Sequence, residues 1–327
     1  MFSFQSIKRI FRDSDLQHLF ETEGYVVVDF YSIDNLNEVI KLYDEMHTSV
    51  LSGFFPSAYA EDKAYRSKID AELKRIGLNR LDELFIDYQI MNGCFIVKQP
   101  NSDSYLHVHQ DMTLVDESIF TGINVWTTTT DLTPENGVLY LLPGSHRFFP
   151  TYRGHTLPGF YDPIQEEIKD YMLPIYLKAG QAIIFDQSIV HFSPPNNSDN
   201  IRIATNVFIA HKEAKFRICY HDKNDEQYKG KVELFEQDPS FMTDYEQFGK
   251  NIYNRPSQGK SLGLFEYNFP VLTIEDLENK FGKKKLRTST PTKKNNSSLT
   301  HENVKQSFWK VYTPKNIFLE LQNRIKK

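Results

Sequence analysis

The stretch GQAIIFDQSIVHFSPPN, Gly180 to Asn196, contains two short apolar runs, parted by the polar turn Asp186 to Ser188 and closed by a Pro-Pro-Asn stop. Each run is too short for a helix, and its Ile, Val and Phe content suits a buried strand. The pattern therefore predicts one strand, a tight turn and a second strand opening on His191. The same grammar holds on either side. From about Asp87 onward, YQIMNGCFIVKQP, TGINVWTTTTDL, GVLYLLPGS, LPIYLKAG and IRIATNVFIA are β-branched or aromatic runs punctuated by Gly, Pro and Asn. Many short strands broken by turn signals predict a sandwich or jelly roll rather than an alternating α/β sheet.

The first third reads differently. DNLNEVIKLYDEMHTSVL (Asp34 to Leu51) sets Leu36, Val39, Ile40 and Met46 at helical spacing, KIDAELKRIGLNRLDELF (Lys68 to Phe85) repeats the style, and EGYVVVDF before them suits a short buried strand. The boundaries that follow are a single domain over 1–282, helical to about 86, jelly roll over about 87–215, and an extension over 216–282. The Tyr-, Pro- and Gly-rich residues between His146 and Ala179 are too many for a hairpin loop and read as a functional insertion. Residues 283–304 have a basic linker composition, and 305–327 form a short C-terminal element with Ile317, Phe318, Leu321 and Ile325 at helical spacing.

Composition narrows the class. The 327 residues are long enough for a sizeable core, and the two cysteines, Cys94 and Cys219, give no disulfide framework and no zinc-ribbon spacing, which suits the cytoplasm. No apolar run approaches the roughly 20 residues of a membrane span, and no secretory signal opens the sequence. The net charge of −5 is split: residues 283–327 carry 12 Lys and Arg against two acids, or +10, leaving −15 for the rest. Lys and Arg set among Ser, Thr and Asn read as a solvated arm open to an anionic partner rather than as a nucleic-acid surface.

The chemistry gathers in LHVHQDMTLVD, Leu106 to Asp116. Regular strand alternation puts His107, His109 and Asp111 on one face, and His109-Gln-Asp111 supplies one imidazole and one carboxylate. With His191 as a third ligand they make the 2-His-1-carboxylate set that leaves positions open on Fe(II). Alone, such a pair is more often an ordinary satisfied contact. Ser193 shares a face with His191, and Arg202 stands eleven residues beyond that histidine inside an otherwise apolar strand. An arginine there either faces water or meets a carboxylate, for which a bidentate guanidinium is well suited.

The order H-Q-D, then ENGVLYLLPGSHR (Glu135 to Arg147), then H-x-S with its downstream arginine, resembles the phytanoyl-CoA dioxygenase family of Fe(II)- and 2-oxoglutarate-dependent oxygenases. FETEGYVVVDF (Phe20 to Phe30) and Lys98 of FIVKQP extend the resemblance over about 20–211. It implies a mainly β fold with flanking helices: a double-stranded β-helix (jelly roll, cupin-like) with the helical N-terminal third packed on the major sheet. It also implies that His109, Asp111 and His191 hold the iron, that Arg202 and Ser193 bind the distal carboxylate of 2-oxoglutarate, that Lys98 assists, and that Trp126 lines the pocket. O2 is then the second co-substrate, and a small molecule is hydroxylated with release of succinate and CO2. A carboxylate at 111, where related halogenases leave room for chloride, favours hydroxylation.

Only His109 has the carboxylate two residues on, so His107 reads as a mouth or solvent-facing residue and His146 as a loop-fixing one. Substrate contacts are expected from Tyr152, Arg153, His155, Phe160 and Tyr161 of the insertion and from the helical first third. Two other readings stand beside this one. A cupin-type metalloenzyme would use His107, His109 and His191, although Glu117 falls too far along for the usual cupin spacing. A non-catalytic protein on the same fold would bind a metabolite or partner.

Overall fold

The structure is a computed structural model that describes residues 7–47, 53–101, 103–148, 152–238, 240–244 and 252–282, all within one compact unit, 1–284. The basic linker and terminal element expected over 283–327 lie outside the described residues. The helix read over Asp34 to Leu51 ends at Met46, with His47 leaving helical geometry as its C-cap, and residues 48–51 lie outside the described residues.

Thirteen strands are described: β1 (Tyr25–Asp29), β2 (Phe54–Pro56), β3 (Tyr88–Lys98), β4 (Leu106–His109), β5 (Ile123–Thr128), β6 (Leu139–Leu141), β7 (Leu173–Ile175), β8 (Gln181–Asp186), β9 (His191–Ser193), β10 (Arg202–His211), β11 (Phe216–Tyr220), β12 (Lys231–Gln237) and β13 (Lys260–Glu266). The major sheet runs β1-β8-β5-β10-β3-β2 and the minor sheet β4-β9-β6-β7, with antiparallel pairing throughout. These two sheets make the jelly roll. The extension adds a third sheet, β11-β12-β13. Two strands of the major sheet, β1 and β2, come from the first third of the chain, so that third is not only a helical layer.

Helices α1 (Ser14–Glu23), α2 (Ile33–Met46) and α3 (Lys63–Leu84) cover the outer face of the major sheet. Each starts on a side-chain cap that satisfies free N–H groups: Asp13, Ser32 in a reciprocal box with Asn35, and Asp62. Strand alternation divides the sheet's two faces. Phe95, Val97, Ile123, Val125, Ile184 and Val207 point to Leu73, Ile76 and Leu81 of α3, each fully or almost fully buried, which stabilises by about 1.5–3 kcal/mol per side chain. The alternate residues Trp126, Ile183, Phe185 and Ala204 face Leu139 and Leu141 of the minor sheet. Polar residues on that inner face, Asn92, Asn124, Arg202 and Asn206, therefore point between the sheets.

His146 fixes a loop, as the sequence suggests. Its Nε2 lies 3.1 Å from the Glu21 carbonyl, at the end of α1. Gly24 closes that helix at φ +84, and a Cβ there would sit 2.5 Å from His146 Nδ1, so both the conformation and the space demand glycine.

Candidate active site

β4 and β9 are neighbours in the minor sheet, with His109 paired to His191 and Leu106 to Ser193. Between those pairs the register slips, and this bulge alters the strand parity that would align His107 with His109. His107 is exposed and packs edge-on against Tyr105, while its carbonyl accepts from His109 Nδ1 at 2.8 Å. The expectation that His107, His109 and Asp111 share one face is thus corrected. The cupin-type alternative also loses its first ligand, because His107 is not in the cluster.

His109, Asp111 and His191 place one ligand atom each within 4.8 Å of one another. His109 Nε2 is 3.6 Å from Asp111 Oδ1, His191 Nε2 is 4.0 Å from Asp111 Oδ2, and the imidazole centroids are 4.1 Å apart. Both rings give Nδ1–H to a main-chain carbonyl two residues back, His109 to His107 and His191 to Ile189 at 3.0 Å. Each Nε2 therefore keeps its lone pair, turned toward the carboxylate, and a divalent cation fits this donor set. Burial, followed by the neighbouring His109, brings His191 down to about 4, so it is neutral at physiological pH. Burial alone would raise Asp111, but His191 and His109 outweigh it and hold the carboxyl at about 2.

A ladder of amides fixes the carboxylate. Asn206 Nδ2 donates to Asn124 Oδ1 at 2.8 Å, and Asn124 Nδ2 donates to Asp111 Oδ2 at 2.5 Å. The Asp111 N–H is given to the Gln187 carbonyl at 3.0 Å. Arg153 reaches across from the insertion, donating Nε to the Asp111 carbonyl at 2.7 Å while its two terminal nitrogens grip Glu117. Gln110 N–H donates to the Tyr161 hydroxyl at 3.0 Å, and Thr113 and Arg153 exchange further bonds. The insertion is therefore stitched directly to the segment that carries Asp111.

His109, Asp111, His191, Asn124, Asn206 and Arg153 line a cavity of about 450 Å³ between the sheets, together with Arg202, Ser193 and Trp126. Arg202 is 2% exposed, donates Nη1 to the Gly137 carbonyl at 2.6 Å, lies over the Trp126 ring at 5.3 Å, and has no carboxylate partner among the described residues. Its Nε is buried without an acceptor. Desolvation pulls its pKa down to about 9. A buried cation facing a cavity without a counter-ion fits the far carboxylate of a dicarboxylate ligand.

Lys98 is placed differently from that group. It pairs with Arg202 across β3 and β10 but does not line the cavity, and its Nζ donates to the carbonyls of Ser193 and Pro194. Burial, and then Arg202, lower it to about 6. Tyr152, Arg153, His155, Phe160 and Tyr161 all line the cavity. The first third contributes Phe54, Ala58 and Tyr59 from β2 and the turn after it, not from its long helices. Met242 and Tyr267 of the extension also reach the lining, and no local sequence pattern marks them.

A jelly roll that turns two imidazoles and a carboxylate into an inter-sheet cavity has the donor set of the non-haem iron oxygenases. A family model described as Phytanoyl-CoA dioxygenase (PhyH) matches residues 37–204, and the chain belongs to that family. "Phytanoyl-CoA dioxygenase domain-containing protein 1" of Danio rerio is 33% identical over 121 residues, 35% of this chain and 42% of that protein, so the match spans under half of the relative. The Caenorhabditis briggsae homolog of that protein is 26% identical over 254 residues, 64% of this chain and 88% of its own. Among solved structures, the non-heme alpha ketoglutarate dependent carbocyclase SnoK from nogalamycin biosynthesis superposes with a TM-score of 0.47 at 18% identity, covering 62% of this chain and 86% of that one.

Proposed function

We propose that the protein is an Fe(II)- and 2-oxoglutarate-dependent dioxygenase that hydroxylates a small molecule. The observation that carries this reading is Arg202, a buried cation lacking an acid partner among the described residues, in the same cavity as two imidazoles and a carboxylate. His109 and His191 hold the metal through Nε2 and Asp111 through one carboxylate oxygen. Arg202 takes the distal carboxylate of 2-oxoglutarate, with Ser193 beside it and Trp126 as the wall under the guanidinium. Lys98 acts at one remove, by holding the main chain that carries Ser193.

When bound, iron and 2-oxoglutarate supply the oxidation, consuming O2 and releasing succinate and CO2. The protein's own contribution is positional. Asn124 keeps one oxygen of Asp111 engaged so that the carboxylate presents the other, and the main-chain carbonyls of His107 and Ile189 fix both imidazole tautomers. Cys94 and Cys219 are free thiols, in keeping with the reducing cytoplasm. No helix among the described residues is long and apolar enough to cross a membrane.

The test is succinate formation. Protein reconstituted with Fe(II) is expected to convert 2-oxoglutarate to succinate in air, and Asp111→Ala to abolish this. Tight 2-oxoglutarate binding with no succinate under any condition would favour the non-catalytic metabolite-binding reading.

A further inference from the structure

The metal and co-substrate groups leave most of the cavity lining unassigned, and the charge of that lining is informative. Among the described lining residues, the only Lys or Arg are Arg153 and Arg202, and the only acid is Asp111. Arg153 is held by both oxygens of Glu117, Arg202 is committed to the co-substrate, and Asp111 to the metal. His155 adds no cation at neutral pH, because burial lowers its pKa. An ionised group on the substrate would find no charge of opposite sign here, and a buried ion without one is strongly disfavoured.

Neutral polar groups are present instead. Among the described residues five carboxamides line the space: Asn92, Gln110, Asn124, Gln187 and Asn206. Gln110 donates to the Ser188 carbonyl, and Asn124 and Asn206 form the ladder behind Asp111. The side-chain amides of Asn92 and Gln187 bond no described residue, although these residues are only 5% and 2% exposed; Gln187 turns Oε1 toward Gly122, which leaves its Nε2 for the cavity. Buried amides are normally satisfied, so two left open beside a cavity point to a ligand. Asn92 alternates on β3 with Cys94 and Ile96, which line the same wall. The remaining surface is largely aromatic: Tyr59, Tyr152, Phe160, Tyr161, Phe208 and Tyr267.

We propose that the substrate buries an uncharged, ring-bearing body in this cavity, and that Asn92 and Gln187 bond neutral hydroxyl or carbonyl groups on it. Carboxylate, phosphate, sulfate and ammonium groups, including the charged portion of an acyl-CoA, stay outside. This rests on the oxygenase reading above.

The experiment is anaerobic equilibrium binding to protein loaded with Fe(II) and 2-oxoglutarate. Its probes are 2-naphthol, the matched acid 2-naphthoate and the matched cation 2-naphthylmethylammonium. We expect 2-naphthol to bind at least tenfold more tightly than any charged probe, since transferring an unpaired ion to the cavity costs more than any contact there returns. Asn92→Leu should weaken 2-naphthol about three- to tenfold, the effect of one neutral hydrogen bond. The proposal is overturned if 2-naphthoate or 2-naphthylmethylammonium binds as tightly as 2-naphthol, or if 2-naphthol does not bind. Should Asn92→Leu fail to fold, the ranking on wild-type protein decides alone. Failure of Fe(II) and 2-oxoglutarate to load, seen before any probe is added, would instead count against the oxygenase reading.

Discussion

Replacing Arg202 should move ligand affinity and stability in opposite directions. Burial takes its pKa from 12.5 to about 9, a penalty on the cation of roughly 5 kcal/mol at about 1.4 kcal/mol per pH unit. Among the described residues, that penalty is offset only by the bond to Gly137 and the contact with Trp126. When a dicarboxylate arrives, its far end supplies the missing counter-charge. Arg202→Met should therefore weaken 2-oxoglutarate by about 2–5 kcal/mol, as for truncated buried charge pairs, or roughly 30- to 5000-fold. The same substitution should stabilise the ligand-free protein by about 1–3 kcal/mol, because an apolar side chain replaces an unpaired buried ion at the cost of about one hydrogen bond. Arg202→Lys keeps the charge and loses the fork, and an intermediate affinity is expected. Calorimetric titration of the metal-loaded protein gives the first quantity, and urea unfolding of the apo-protein gives the second. An Arg202→Met protein that is less stable and binds 2-oxoglutarate like wild type would refute the reasoning.

Three further outcomes follow from the geometry. His191→Ala should reduce Co(II) affinity at least a hundredfold in a spectral titration, while His107→Ala leaves it within about threefold, because only the former removes a clustered ligand; equal losses would restore the cupin-type arrangement. Lys98 is neutral when folded above about pH 6 and charged when unfolded up to about 10.5, so the unfolded state binds more protons in that window and wild type should gain stability relative to Lys98→Met as pH rises. Parallel stability curves for the two proteins between pH 6 and 10 would show that Lys98 keeps its ordinary pKa. Gly24→Ala should cost about 1–3 kcal/mol in urea unfolding, from strain at φ +84 and the clash with His146, whereas a neutral effect would mean that the turn shifts freely.

The sequence made the candidate His-Asp-His cluster legible because His109 and Asp111 lie two residues apart and His191 opens a strand after a polar turn. Arg202 stood out because an arginine interrupts an apolar run. Other features left no local trace. The bulge between Leu106 and His109 is set by pairing with β9, so alternation counted along β4 alone misplaces His107. β2 is three residues long and is defined only by its partner β3, more than thirty positions away in sequence. Met242 and Tyr267 reach the cavity by tertiary packing of the extension, which no spacing rule encodes. Asn92 and Asn124 pass in sequence for the ordinary polar positions of half-buried strands, and only the sheet's inner face gives them significance. Lys98 matched a family position, but its role depends on where the chain turns after Ser193.

In the proposed reading one cavity holds Fe(II) through His109, Asp111 and His191 and 2-oxoglutarate through Arg202. Anaerobic titration of the Fe(II)-loaded protein with 2-oxoglutarate, followed by visible metal-to-ligand absorption, tests it most directly. A saturable band is expected with one equivalent bound per chain, absent in Asp111→Ala and strongly right-shifted in concentration in Arg202→Met. A wild-type protein that binds Fe(II) but develops no band at any 2-oxoglutarate concentration would contradict it.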